Sequence, residues 1–257
     1  MSPLVIKVGG AVLEQDQLLS NLLQGLKGLN RPWLLVHGGG VVIEQLLSGL
    51  GMTSSKVDGL RVTPAEQIPY VTGALAGTSN KLLLASCLKH GYSALGLCLG
   101  DAGICKVAPF DARLGHVAAA EPGNPQLLKL LLSQNYLPVV SSIGVGQDGL
   151  LYNVNADQAA VAIAQSLNAQ LVLLSDVPGV LDGDKALIAS LNQQQSQQLI
   201  ADGVITDGMA VKVNAALDAA QTLGQQVLLA SWQQPELLAD FLSGTAATDS
   251  AAGTLVG

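Results

Sequence analysis

Lys7 stands where a lysine is least expected. It closes the apolar run Leu4-Val5-Ile6 and is followed, after Val8, by Gly9-Gly10. A central parallel strand is buried on both faces, so an ammonium group there is costly unless it meets an anion or a cavity. The neighbouring glycines let the backbone approach a ligand closely. A lysine snorkelling from an edge strand would leave the same trace in sequence. His37-Gly38-Gly39-Gly40 is the second such place, joining the apolar run Trp33-Leu34-Leu35-Val36 to an expected helix. Free backbone N–H groups at that helix start would suit a phosphate or a carboxylate. The alternatives are a tight turn without a ligand and the oxyanion hole of an esterase. The esterase fold also needs a G-x-S-x-G elbow, which does not occur in this sequence.

Two further segments have the right chemistry. Asn153-Val154-Asn155-Ala156-Asp157 sets three short polar side chains on alternate positions before the apolar stretch Ala156–Leu167. Ordinary N-capping accounts for part of this. An EF-hand does not, because Gln158 stands where the loop needs glycine and Ala164 where it needs glutamate. Hydrogen bonding to a ligand and orientation of a lysine fit this set better than caging a metal. Thr206-Asp207-Gly208-Met209-Ala210-Val211-Lys212 opens a helix whose apolar positions Met209, Val213, Ala216 and Ala220 keep helical spacing. A cation near a helix N-terminus opposes the macrodipole by roughly 0.3–1 kcal/mol, a sign that a bound anion would reverse. A solvent-facing lysine is the plain alternative.

The elements that must position these residues follow from the hydrophobic pattern. Short Val/Leu/Ile runs at Leu4–Val8, Trp33–His37, Ala94–Leu99, Leu137–Ser141, Leu171–Ser175 and Gln226–Leu229 alternate with helical stretches. The helices are expected at Leu13–Leu29, Val41–Leu50, Gln126–Gln134, Ala156–Leu167, Gln193–Ala201 and Met209–Leu223. That alternation predicts an α/β fold, a three-layer αβα sandwich around a largely parallel central sheet. In such sheets ligands bind beyond the carboxyl ends of the strands. Lys7, His37, Ser141-Ser142 and Ser175-Asp176 all fall at that end. Asp101–Gly123, rich in Gly, Pro and Asp, predicts hairpins or loops. Thr63-Pro64-Ala65-Glu66 predicts a helix start by capping box. The tail Gly244–Gly253 predicts a loose loop. A lobe boundary within the continuous sheet is placed near Leu171, giving lobes 1–170 and 171–257.

Composition excludes several classes. With 257 residues the chain can bury a large core. Its apolar runs break before the roughly 20 residues of a bilayer span, so no membrane segment is expected. The start Met1-Ser2-Pro3 leaves no room for a signal peptide, and a cytoplasmic location is expected. The net charge is −7, and the arginines are only Arg31, Arg61 and Arg113, so nucleic acid is a poor partner. Cys87, Cys98 and Cys105 form no C-x-x-C pair and read as buried thiols, with no structural metal expected. Neither a P-loop nor the G-x-G-x-x-G fingerprint occurs.

Taken in order, Ile6-Lys7-Val8-Gly9-Gly10, Val36-His37-Gly38-Gly39-Gly40, Gly59-Leu60-Arg61-Val62-Thr63, Gly73-Ala74-Leu75-Ala76-Gly77, Asn153–Asp157, Leu174–Leu181 and Thr206–Met209 resemble the amino-acid kinase family. Within it they are most similar to the branch whose acceptor is N-acetyl-L-glutamate, in arginine biosynthesis. The resemblance implies transfer of a phosphoryl group from ATP, with Mg²⁺ as part of the substrate complex, to a side-chain carboxylate. It implies that Lys7 and Lys212 stabilise the transferring group while Asp157 holds both lysines. Gly39, Gly40, Arg61 and Asn153 would bind the acceptor. Gly9, Gly10, Asp176, Val177, Pro178, Gly179, Val180, Leu181, Val204, Ile205 and Thr206 would bind ATP. The chain begins at its first strand, without the N-terminal helical extension of arginine-inhibited, hexameric members, so an arginine-insensitive homodimer is expected. Ala251–Val256 keeps only part of the family's closing glycine–threonine strand pattern and receives no role. Aspartokinase, glutamate 5-kinase, carbamate kinase and uridylate kinase are rivals of the same class, against which Gly59-Leu60-Arg61-Val62-Thr63 argues. A non-catalytic sensor of acidic amino acids or nucleotide is the rival from another class.

Overall fold

The structure is a computed structural model that describes residues 2–10, 12, 15–57, 59–243 and 252–257. The chain opens with β1 (Leu4–Val8), α1 (Asp16–Leu26), β2 (Trp33–His37) and α2 (Gly40–Gly49). A short hairpin of β3 (Lys56–Val57) and β4 (Leu60–Arg61) follows. Next comes one continuous rod, in which α3 (Ile68–Thr72) passes through a π-helical turn at Gly73–Ser79 into α4 (Asn80–Lys89). The middle of the chain holds β5 (Ala94–Cys98), β6 (Cys105–Pro109), β7 (Val117–Pro122), α5 (Gln126–Ser133), β8 (Leu137–Ser141), β9 (Ile143–Val145) and β10 (Leu151–Val154). The last part comprises α6 (Ala156–Leu167), β11 (Gln170–Ser175), β12 (Ser190–Leu191), α7 (Gln193–Ala201), α8 (Asp207–Leu223), β13 (Val227–Ser231), α9 (Pro235–Ser243) and β14 (Gly253–Val256).

Eight strands form the main sheet in the order β12-β14-β13-β11-β1-β2-β8-β5. The six strands from β13 to β5 pair in parallel, while β14 runs antiparallel to β13 and parallel to β12. Side-chain alternation separates two cores. Val5, Leu34 and Val36 face α5, α6 and α8, whereas Leu4, Ile6, Val8, Trp33 and Leu35 face α1, α4 and α9. These opposed faces make the three layers, and each fully buried leucine contributes about 1.5–3 kcal/mol. Lys7 shares parity with Val5, so it points to the α6 face. A four-stranded sheet, β6-β7-β10-β9, forms from the Asp101–Gly123 region and the segment after β8.

Two expectations need correction. Thr63 does not cap a helix, because its carbonyl accepts from His116 N–H at 2.7 Å and its N–H donates to Leu114 O at 2.8 Å. Its hydroxyl donates to the Arg61 carbonyl and accepts from Asn153 Nδ2. An N-cap needs that carbonyl and hydroxyl for its own helix, so Pro64–Gln67 closes only a turn and α3 starts at Ile68. The closing segment is not left over either. Gly253–Val256 inserts as β14 between β12 and β13, and Thr254 Oγ1 accepts from Val180 N–H at 2.8 Å and donates to Ile188 O at 2.7 Å. Residues 244–251 of the expected loose tail, like the expected helix start at Leu13, lie outside the described residues.

Candidate active site

Strand order reverses between β1 and its neighbours, since the chain moves from β1 to β2 on one side and later returns to β11 on the other. A doubly wound sheet opens a crevice at such a point, beyond the carboxyl ends of the strands. Lys7 lies there, in register with Val36 of β2 and Leu173 of β11. Its Nζ is 2.9 Å from Asp157 Oδ1, the side chains being 16% and 38% exposed. Asp157 occupies the first turn of α6, which lies on the face that Lys7 points to.

The alternating polar run before α6 separates into three duties. Asn155 is the N-cap, its Oδ1 accepting from the N–H groups of Asp157 at 2.8 Å and Gln158 at 3.2 Å. Asp157 is thereby left to pair with Lys7. Asn153, buried on β10 between β7 and β9, turns its carboxamide toward Thr63.

The two glycine turns touch each other. A Cβ on Gly10 would meet Gly39 Cα and Gly40 N at 3.2 Å, and one on Gly39 would strike Ser79 Oγ and Leu75. Only glycine allows this approach, which brings the chain between β2 and α2 close to the π turn. Gly39, Gly40, Arg61 and Asn153 together line one cavity of about 160 Å³, with Lys56, Ser142 and Asn155 also on its wall. The Arg61 side chain is only 9% exposed, and its Nη1 contacts Glu44 Oε2 at 2.8 Å and the hydroxyl of Ser54. Its Nη2 donates to Gly40 O at 3.1 Å. The Arg61 guanidinium holds the Glu44 carboxyl below its ordinary range. Asn155 also borders a second cavity of about 410 Å³ between α6 and α8, lined by Asp157, Leu173 and Val211.

The remaining residues lie beside the crevice. Asp176 follows β11, and Lys212 Nζ reaches its Oδ1 at 2.8 Å, with side chains 38% and 65% exposed. This hydrogen bond holds the Asp176 carboxyl below its usual range. Asp157, expected to hold both lysines, pairs here with Lys7, while Lys212 pairs with Asp176. Two ammonium groups on one carboxylate repel unless a further anion lies between them. Val177, Pro178, Gly179, Val180 and Leu181 continue from Asp176, with Val180 buried and Leu181 exposed. Val204 is exposed, while Ile205 and Val180 are both buried in the core on the α5, α6 and α8 side of the sheet. Gly9 and Gly10, partly exposed, complete the mouth beside the triple glycine.

Sequence reasoning passed over Glu44, Lys56, Asn80 and Thr254. Asn80 had a usable signal: with Leu83 and Cys87 it lies on the buried stripe of α4, a lone carboxamide on an apolar face.

The sequence profile described as the amino acid kinase family matches residues 2–231. Acetylglutamate kinase of Aeromonas salmonicida is 54% identical over 247 residues, covering 95% of each chain. That of Sodalis glossinidius is 52% identical over 250 residues, covering 96% of this chain and 97% of the other. The crystal structure of N-acetylglutamate synthase from Neisseria gonorrhoeae superposes with a TM-score of 0.82 at 21% identity, over 100% of this chain and 59% of that one, a likeness of fold.

Proposed function

The chain belongs to the amino acid kinase family, and from that premise we propose that it transfers the γ-phosphoryl group of ATP to the side-chain carboxylate of N-acetyl-L-glutamate. The products are N-acetyl-L-glutamyl 5-phosphate and ADP. The observation that carries this reading is one small cavity in which a nearly buried guanidinium, a carboxamide and two glycines face each other, with the Asn155 cap joining it to the Lys7–Asp157 pair. Full-length similarity to acetylglutamate kinases supports the choice of acceptor.

Charge dictates the mechanism. A carboxylate with a reference pKa near 4.3 is ionised at neutral pH and attacks phosphorus without a general base. Its oxygen forms the new P–O bond while the bond to the β-phosphate bridging oxygen breaks, and ADP departs with that electron pair. The obstacle is repulsion between acceptor and triphosphate, which fixed cations in a dry crevice offset best. Lys7 and Lys212 supply them, Asp157 orients Lys7, and Lys212 leaves Asp176 for the phosphate. Arg61 and Asn153 bind the acceptor, with the N–H groups of Gly39 and Gly40 beside the reacting end. ATP lies over Asp176–Leu181 and against Val204–Thr206, near Gly9 and Gly10. Thr254 steadies that platform through Val180.

Mg²⁺ enters with ATP. It keeps several waters and binds mainly through phosphates, so it needs no protein cage. Among the described residues no three His, Cys, Asp or Glu side chains cluster as ligands. Residues 1–170 form the acceptor-binding and dimerising lobe, and residues 171–257 the ATP lobe. A homodimer is supported by β5, whose outer edge ends the main sheet, and by the exposed Leu82 and Leu88 on the neighbouring α4. No described helix is long and apolar enough to cross a membrane.

The test traps the acyl phosphate as a hydroxamate while N-acetylglutamate, glutamate, aspartate and N-acetylaspartate are offered separately. Turnover with N-acetylglutamate alone is expected. Equal or better turnover of another acceptor overturns the reading.

A further inference from the structure

Beneath the glycine wall lies a buried polar pair that the mechanism does not use. His37 is 0% and Asn80 1% exposed. Asn80 is the first residue after the π turn Gly73–Ser79. A π turn holds more residues than an α turn, and each α-helical residue advances about 100°, so the turn resets which face of the rod residue 80 occupies. It brings Asn80 under β2 and β8.

The hydrogen bonds fix the protons. Asn80 Nδ2 lies 2.9 Å from Val139 O and 3.0 Å from His37 Nε2, while its Oδ1 lies 3.1 Å from Lys81 Nζ. Turning the carboxamide over would set two acceptors together at Val139 and two donors together at Lys81. His37 Nε2 must therefore accept. The other ring nitrogen, Nδ1, is 2.8 Å from Gly38 O, which can only accept, so Nδ1 carries the proton. Burial agrees with a neutral ring, pushing the His37 pKa down to about 4 against the smaller raising effect of the Gly38 bond.

We propose that Asn80 and His37 are positioning residues for the acceptor: Asn80 fixes the Nδ1–H tautomer of His37, and that N–H holds the Gly38 carbonyl inward. In a trans peptide the carbonyl of one residue and the N–H of the next point in opposite directions. Anchoring Gly38 O below the wall thus aims Gly39 N–H away from the core and toward the cavity. The inference rests on reading that wall as the acceptor site.

Two measurements on the full chain test it. Long-range ¹H–¹⁵N correlation of the histidine rings at neutral pH should show His37 protonated at Nδ1 only; a ring protonated at Nε2 overturns the assignment, with no variant needed. Asn80→Asp keeps the shape but replaces a donor with an acceptor, so it should move the ring proton from Nδ1 to Nε2 and release the Gly38 carbonyl. It should also raise the acceptor KM about tenfold while the ATP KM moves less than about twofold. If that variant does not fold, His37→Gln is measured for the same split. Equal changes in both KM values, or none, would reduce the pair to ordinary core packing. A wild-type protein that turns over another carboxylate defeats the acceptor assignment alone, because the split is then read with that carboxylate.

Discussion

The two lysine–aspartate pairs are built differently. Lys7 and Asp157 join a central strand to the first turn of the helix packed on it, and their side chains are 16% and 38% exposed. Lys212 and Asp176 join a helix to a loop, at 38% and 65% exposure. On the proposed reading, the acceptor side adds a nearly buried guanidinium, a capped helix start and a hidden His–Asn pair. The nucleotide side has exposed Leu181 and Val204 at its surface. Water and salt compete with the second pair far more than with the first. The proposed acceptor half is thus preformed, and the proposed ATP half is held by a bond weak enough to be exchanged for phosphate.

The largest effect is expected from removing the cations. Lys7→Met and Lys212→Met should each lower kcat by about 10³-fold or more, since in the proposed mechanism both charges meet the transferring group. Only Lys7→Met should also lower Tm, because it strands a half-buried carboxylate. Steady-state rates and thermal melts check both halves, and near-normal kcat in either variant removes that lysine from the mechanism. Next in size, Arg61→Lys should raise the acceptor KM roughly 100-fold with ATP KM nearly unchanged, as an ammonium cannot reproduce the fork to Glu44, Ser54 and Gly40.

Acid acts on the buried pair. The folded pKa of His37, about 4, lies below its ordinary 6.5, so the unfolded chain binds more protons between those values and stability falls as pH drops through that window. The full effect is roughly 3 kcal/mol. Urea denaturation at stepped pH should show this slope, and His37→Gln should flatten it. Glu44 and Asp176, held below their ordinary values by Arg61 and Lys212, contribute above their unfolded values and lose that contribution at still lower pH. The smallest effect is expected for Asp176→Asn. It should change stability by less than about 1 kcal/mol because the pair is exposed, and alter ATP KM only a few-fold in a coupled assay.

What the sequence made legible follows from the range of each signal. Leu4–Val8, Trp33–His37 and Leu137–Ser141 are strands with the expected bounds because their apolar runs are local and end at polar residues. The Lys7 anomaly was legible for the same reason. Thr63 misled because a tertiary bridge to Gly115 outweighed a sound capping box. The π turn had no motif, and Asn80 showed only as a carboxamide on an apolar stripe, since its partners depend on how β2, β8 and the rod meet. β14 showed only as part of a glycine–threonine strand pattern, because a four-residue strand gains its identity from the neighbours it enters. The partner of Lys212 could not be read either, as Asp157 and Asp176 come from different elements.

For the proposed transfer, Lys7 and Lys212 must converge on one phosphoryl group. The direct measurement is a crystal structure with Mg²⁺–ADP, aluminium tetrafluoride and N-acetyl-L-glutamate. Both Nζ atoms should lie within roughly 3 Å of the fluoride ligands, Lys212 having left Asp176. A Lys212 still bound to Asp176, or a Lys7 turned away from the aluminium, would contradict it.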